Sequence, residues 1–312
     1  MTTQTAGPPR AVTRPGDRIF AGAATGSGIL ILAILAGVAA FLLWQAWPAL
    51  VADPEQIPGG KGLTSYIAPL LFGTVLSAVI ALLIATPLAI GIALFITHYA
   101  PRRLAQALGY LVDLLAAVPS LVYGLWGVFV LAPKTVPVTT WLSEKLGFIP
   151  LFAGPPSTTG RTMFVVGIVL AVMILPIMAA VNREVFLQTP RLHEEASLAL
   201  GATRWEMIQM AVIPFGKSGV ISGMMLGLGR ALGETMAIAI ILSMSGGISF
   251  NLIAIANPGT IAGNIALQFP ESSGLAVNTL IASGLVLFAL TLAVNMLARW
   301  IVSRRAEFSG AN

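Results

Sequence analysis

The fold class that this sequence predicts is all-α: a polytopic membrane protein with six transmembrane helices and both termini cytoplasmic. Three observations predict it. Of the 312 residues, 57% are hydrophobic and only 9% are charged, against about 25% charged in a soluble domain. Several apolar runs exceed the roughly 20 residues that cross a bilayer as a helix. Basic residues also gather at one set of chain ends and turns. Twelve fall on the side assigned inside, whereas four, Lys61, Lys134, Lys145 and Arg161, fall on the other, which is the bias of cytoplasmic loops. A soluble helical bundle is excluded by the length and number of the runs. A secreted protein is excluded because the first run, from Ile19 to Leu43, far exceeds the roughly 7–15 residues of a signal core and has no small-residue cleavage site after it. The net charge of +5 belongs to the inner loops and needs no nucleic-acid partner. The chain has no cysteine, so disulfides and thiolate metal sites are excluded.

In chain order, residues 1–18 carry three prolines and three arginines and read as a disordered cytoplasmic tail. The first helix is expected over 19–47, closed by Trp44 and Trp47 at a membrane interface. A polar loop, 48–65, leads to the second helix, 66–99, with a kink expected at Pro87. The third is expected over 104–131 and is followed by a long Pro- and Thr-rich loop, 132–161. The fourth covers 162–188, with Pro176 inside it, and the fifth 216–244, ended by Gly246 and Gly247. The sixth covers 277–302, and 304–312 form a second cytoplasmic tail. Segment 250–269 is apolar but interrupted by Asn251, Asn257, Pro258, Gly259, Gly263 and Asn264. As a seventh span it would place Arg299, Arg304 and Arg305 outside. It is therefore expected as a short interfacial or re-entrant helix on the outer side, where broken backbone needs protein or water cover. No internal repeat is visible.

The stretch 189–214 encodes helix, tight turn, helix on the cytoplasmic face. Thr189 is expected to cap the first helix with Pro190 at its first position. Gly201 suits the left-handed residue that ends it. Thr203 and Glu206 form a T-x-x-E capping box for the second, and Pro214 follows. The string Glu195-Ala196-Ser197, three residues, then Gly201, ending at Ile213-Pro214, resembles the E-A-A loop of ABC importer permeases. It matches at Glu195, Ala196, Gly201 and Pro214 and departs at Ser197, Ala211 and Ile213. The resemblance implies a coupling helix that docks on a separate ATP-binding subunit, with Glu194, Glu195, Ala196, Gly201, Thr203 and Pro214 as its coupling residues. Gly216-Lys217-Ser218 is the near match to a nucleotide-binding loop. Its first glycine would be position 211, which is Ala, and no strand precedes it.

Three charges fall within the spans. Arg230 lies about 14 residues, roughly 21 Å, beyond Gly216, near mid-membrane, and Glu234 follows on the same face. Gly219, Gly223, Gly227, Arg230 and Glu234 fall within about 80° of helical arc, with the glycines suited to close helix packing along the pathway. An ionised Arg at the bilayer centre costs at least about 2.5–3.5 kcal/mol on insertion scales, so it should face protein or water. One reading is a structural ion pair with Glu234. The other is an oxyanion site, because the guanidinium presents a planar fork of donors whose grip Glu234 would moderate. Asp113, in the third helix, is expected to snorkel or to pair with a neighbouring subunit.

Gly-Leu-Gly-Arg-Ala-Leu-Gly-Glu-Thr-Met at 227–236 resembles the G-x-G-R-A-x-G-E-T-M segment of C-type permeases (PstC) of phosphate-specific ABC transporters. Ala-Val-Pro-Ser-Leu-Val-Tyr-Gly-Leu-Trp-Gly at 117–127 is similar to that family's V-P-S-x-x-Y-G-L-x-G stretch. The related A-type subunit usually has Phe where Tyr123 stands and lacks Met after E-T. The resemblance covers about 66–303 plus the extra first helix. It implies a five-helix ABC importer core with one added N-terminal helix and alternating access for inorganic phosphate, with Arg230 and Glu234 in its pathway. It further implies an A-type permease partner, two ATP-binding subunits that hold ATP and Mg, and an extracytoplasmic phosphate-binding protein. This chain would bind no cofactor and catalyse no reaction. A sulfate or molybdate importer is the nearest alternative. An ion-coupled secondary transporter would need more titratable residues in the spans. A membrane enzyme would need a catalytic constellation, and His98 and His193, the two histidines, read as solvated loop residues.

Overall fold

The computed structural model describes residues 15–244 and 247–306. Among them, six helices are long and apolar enough to cross a membrane. A helix that is apolar on every side is stable only when protein or lipid surrounds it, and two helices take these alternatives. Helix α1 (Pro15–Val51) buries only Ala46 and Ala49. Those two pack with Ile57 and Ala282, and Asn278 donates to the Gln45 carbonyl.

The central helix does the opposite. Against it pack α2 (Leu63–Leu94), α3 (Arg102–Ala116) and α4 (Ser120–Trp126), and α5 (Ala132–Leu146) follows α4 in the chain. The hub itself is α6 (Met163–Leu187), most of whose apolar stretch is buried. Small residues permit this. Ala78, Ala81, Ala85, Ala89 and Ala93 are each fully buried at three- and four-residue spacing along α2. A Cβ on Gly167 of α6 would lie 2.3 Å from Ile80.

The chain continues through α7 (Arg191–Ala199), α8 (Arg204–Met207), α9 (Ile213–Leu232), α10 (Met236–Ile241), α11 (Ile261–Gln268) and α12 (Leu275–Ala306). π-helical turns at Phe95–Tyr99, Gly127–Leu131 and Ile208–Val212 prolong α2, join α4 to α5 and join α8 to α9.

Several boundaries differ from the expected ones, each for a local reason. The first helix already runs at Pro15 and continues past Trp47 to Val51, with Pro48 inside it. The rest of the expected N-terminal tail, 1–14, lies outside the described residues, as do Gly246 and 307–312. The expected third helix is interrupted at 117–119, because Pro119 drives Val118 out of the helical region and takes the N-cap position of α4. The chain is then helical to Leu146, through most of the expected loop. There Pro133 sits in the first turn of α5, directly after the π-helical turn Gly127–Leu131. The hydroxyls of Thr135, Thr139 and Thr140 donate back to carbonyls three or four residues earlier.

Segment 250–269 contains α11, eight residues long and about 12 Å by helical rise, too short to span. Its broken backbone is covered by protein, as polar groups at membrane depth require. Buried Asn257 accepts from Met163 N–H at 3.0 Å and donates to the Arg161 carbonyl at 3.2 Å. Ile261 N–H donates to Thr74 Oγ1 at 3.0 Å, and Asn264 donates to the Tyr66 hydroxyl at 2.8 Å.

Candidate functional site

The glycine face of α9 lies on α6. A Cβ at Gly219 would come within 2.3 Å of Val185, at Gly227 within 2.7 Å of Met178, and at Gly223 within 3.1 Å of Asn182 Oδ1. At Gly219 and Gly227 an added side chain would force Val185 and Met178 to shift, and at Gly223 Asn182 would have to give by a few tenths of an ångström. Asn182 is fully buried there, and neither of its amide atoms has a hydrogen-bond partner.

Arg230 emerges at the end of this seam. It is half-buried, and its Nε is out of solvent with no hydrogen-bond acceptor. Among the described residues the ion pairs are Arg183–Asp113 at 3.6 Å and His98–Glu194 at 3.5 Å. Of the two readings of Arg230, the ion pair with Glu234 is not formed, and Asp113 pairs within its own chain.

The reason is a break in the fifth span, which the sequence predicts as continuous over 216–244. α9 stops at Leu232. The Thr235 hydroxyl donates to the Gly233 carbonyl at 3.1 Å, and the register that would bring Glu234 beside Arg230 is lost. Glu234, only 7% exposed, turns its carboxylate to accept the Ala237 N–H at 3.0 Å, closing the N-terminus of α10. An anion there satisfies an orphan donor and complements the helix dipole. At the other end of α10, Arg161 donates from Nε to the Ile241 carbonyl at 2.9 Å and from Nη2 to the Ile240 carbonyl at 2.5 Å. A six-residue helix is thus held at each end by a side chain of fitting charge.

The 117–127 motif packs against this same helix. A Cβ on Gly124 would lie 2.8 Å from Ala237 Cα, and one on Gly127 would lie 2.8 Å from Ile241. Tyr123 donates its hydroxyl to the Leu115 carbonyl at 2.9 Å, bridging the break before α4, and lies within electrostatic range of Arg230. The two motifs, far apart in sequence, meet around α10.

At the other end of the fifth span the local reading of 189–214 is resolved residue by residue. Gly201 has φ +88°, a left-handed value that side chains resist. The Thr203–Glu206 capping box is formed at both contacts: Glu206 N–H donates to Thr203 Oγ1 at 3.3 Å, and Thr203 N–H donates to Glu206 Oε2 at 2.7 Å. Glu195 and Ala196 are exposed on α7, and Glu194 faces His98, whose side chain is only 10% exposed and so is not the solvated loop residue expected. Two details differ. Pro190, not Thr189, holds the N-cap position of α7, and the His193 N–H donates to its carbonyl at 3.0 Å. The Thr189 hydroxyl is buried without a partner. Nor does Pro214 end α8. It sits in the first turn of α9, directly after a π-helical turn, so Arg204–Leu232 is one continuous helix. Gly216-Lys217-Ser218 lies within it, with Gly216 against Phe186, and forms no phosphate-binding loop. A groove of about 770 Å³, lined by residues including Ala196, Ser197, Gly201, Glu206 and Phe215, opens along this loop.

Arg161 reads in sequence as a mere loop charge. Its role was hidden because its partners are carbonyls some 80 residues away.

Residues 85–307 match the family described as binding-protein-dependent transport system inner membrane component. This chain belongs to that family. It is 48% identical to the phosphate transport system permease protein PstC of Mycobacterium leprae, over 95% of this chain and 96% of the relative. It is 45% identical to PstC 2 of Mycobacterium tuberculosis, over 94% of each chain, and 39% identical to PstC of Mesorhizobium japonicum, over 95% and 92%. The fold is shared with a bacterial ABC transporter that imports the acidic polysaccharide alginate: TM-score 0.61 and 17% identity over 92% of this chain and 96% of that one. A second structure of such a transporter, in complex with an alginate pentasaccharide-bound periplasmic protein, gives 0.63 at 16% identity. This permease is accordingly a multi-pass inner-membrane protein and a transport subunit.

Proposed function

We propose that this permease carries inorganic phosphate inward, driven by ATP hydrolysed on separate subunits, and that Arg230 and Glu234 line its path. The observation that carries the reading is Arg230: a cation among apolar spans, its Nε buried and without a partner, and no carboxylate bound to it. An uncompensated charge there is unstable, and a tetrahedral oxyanion is the ligand whose geometry fits a guanidinium fork. Glu234 spends its carboxylate on the α10 N-terminus. It contributes a nearby negative field that limits how tightly an anion is held, which release on the far side requires.

The partners follow from this reading: an A-type permease that completes the pathway, two ATP-binding subunits with ATP and Mg, and an extracytoplasmic phosphate-binding protein. With both termini and 189–214 in the cytoplasm, the ATP-binding subunit docks along α7 and the groove beside it. Because α8, the π-helical turn and α9 form one rod, a displacement at Arg204 reaches Arg230, about 39 Å away by helical rise. A small core of Ala93, Leu94, Phe186, Met207, Ile208 and Val212 ties that rod to the ends of α2 and α6. Alternating access is then a movement of α9 against the rest, with α10, held separately, opening or closing the outer side.

The test is ATP-dependent uptake of labelled phosphate into proteoliposomes that hold this chain with its permease partner, ATPase and binding protein, with excess sulfate as competitor. The expected result is phosphate accumulation that sulfate does not reduce. Transport of sulfate in its place would keep the coupling account and refute the substrate.

A further inference from the structure

Four basic residues, Lys61, Lys134, Lys145 and Arg161, fall on the side assigned outside. Two of them, far apart in sequence, line one cleft of about 610 Å³. It lies at the end of the bundle away from 189–214. Lys61, Ser65 and Tyr66 form its wall where α2 begins, Arg161 just before α6, and Leu242 and Ser243 just after α10.

No aspartate or glutamate is among the described residues that line it. Asp53 and Glu55, earlier in the same loop as Lys61, and Glu271 beyond α11 are exposed. Among the described residues none of the three is ion-paired with Lys61 or Arg161. Arg161 gives Nε and Nη2 to the Ile241 and Ile240 carbonyls. Carbonyls satisfy donors but carry no net charge, so the guanidinium stays fully cationic. Tyr66 is held in the wall by Asn264, only 7% exposed, whose amide donates to the Tyr66 hydroxyl at 2.8 Å. The cleft therefore presents two cations and several hydroxyls with no carboxylate to cancel them. Its complementary ligand is a small oxyanion.

Its place in the fold is as telling as its chemistry. Arg161 binds the last turn of α10, and Arg230 precedes the first. The two guanidiniums bracket a helix of six residues, about 9 Å long by helical rise. Ala237, Ile238 and Ile241 of that helix are buried, so α10 stands between the cleft and Arg230.

We propose that this cleft is an entry site for inorganic phosphate: Lys61 and Arg161 receive the anion on the outer side before it passes α10 to Arg230. This rests on the phosphate reading of the permease and adds a second site to it. Two moderate sites in series suit transport, since each must release what it takes. Lys61 is exposed, so its pull acts through water. It raises the rate of arrival more than the affinity, and salt screens it.

The test places one thiol in the cleft by Ser65→Cys, in a chain with no cysteine of its own. The complex with its permease partner and ATPase is reconstituted in phosphatidylcholine liposomes. It is modified by an anionic and by a cationic methanethiosulfonate, and labelling of this chain is read by mass. Relative to a free thiol, the anionic reagent should react about three- to tenfold faster than the cationic one, and the excess should shrink in Lys61→Gln and in raised salt. Millimolar phosphate should slow the modification, and sulfate should slow it less. Ser243→Cys, also exposed, gives the same readings from the other wall should the first variant fail to assemble. Equal rates for the two reagents, or no protection by phosphate, overturn the entry site and leave uptake through Arg230 standing. Protection by sulfate in place of phosphate overturns the site and the substrate reading together. A phospholipid headgroup carries the same chemistry. Protection by phosphatidylglycerol in the liposomes, with none from free phosphate, makes the cleft a lipid site and overturns the proposal.

Discussion

From Arg204 to Leu232 the chain is one uninterrupted helix pressed onto α6 through glycines. From Met236 to Ile241 it is a short helix detached from the first, held by Glu234 at one end and Arg161 at the other. Both parts belong to what the sequence presents as a single span and its approach. The first is stabilised by shape: no side chain intrudes at Gly219, Gly223 or Gly227, and the contact is van der Waals packing of the kind that joins helices in lipid. The second is stabilised by satisfied backbone polarity, since four orphan groups at each end of any helix need partners. Packing suits an element that must transmit a displacement without bending. Polar clamps suit one that must hold a position of its own while its neighbour moves. Arg230 sits where the two regimes meet.

The largest effect is expected from breaking the packed part. Val185, which a Cβ on Gly219 would strike at 2.3 Å, is β-branched and cannot swing aside. Gly219→Val should destabilise by about 1–3 kcal/mol, the range for overpacked cores, and lower the melting temperature of the purified complex. Gly229→Ala, with nothing within 4 Å of its Cβ, should be neutral or raise stability by up to about 1 kcal/mol. Equal losses in both would mean that the seam is not the contact that holds α9. Next is the polar clamp. Arg161→Ala strips two carbonyls at the end of α10 of their donors, a loss of about 1–3 kcal/mol. It should speed amide exchange across 236–241 while leaving α9 protected. Exchange that rises equally in both would show that the two parts are one unit. Smallest is the other clamp. Glu234→Ala should cost about 1 kcal/mol, as for a lost cap, whereas Glu234→Gln keeps an oxygen for the Ala237 N–H. A melting temperature equally lowered in both would mean that the negative charge, not the acceptor, holds α10.

The number of spans was legible because it rests on composition and length, although the third lies at Ser120–Leu146 rather than 104–131 and the fifth at Arg204–Leu232 rather than 216–244. The 189–214 turn was legible because it is local: Gly201, Thr203 and Glu206 act on their immediate neighbours. The break at 233–235 was not, because the 3.6-residue pattern of Gly219, Gly223, Gly227, Arg230 and Glu234 continues through it. A signal was present in Gly233 followed by Glu234 and Thr235, a helix stop before two residues able to cap the next helix. Helix α5 was hidden by Pro133, Pro137 and three threonines, Thr135, Thr139 and Thr140. Those read as loop until their hydroxyls are seen bonded back to the chain. Arg161, His98 and Tyr123 owe their roles to contacts across the fold. Only their neighbours in space, which no spacing rule supplies, distinguish them from ordinary loop or core residues.

The measurement that bears most directly on the central claim is phosphate uptake by the reconstituted importer carrying Arg230→Gln, with assembly checked by co-purification of the ATPase. Gln keeps hydrogen-bonding capacity but removes the charge and the fork. Uptake should fall about tenfold or more while the melting temperature stays near wild type, since Arg230 is bound to no carboxylate in the fold. Uptake at the wild-type rate, or a collapse in stability of the assembled complex, would contradict the account and make Arg230 a packing residue.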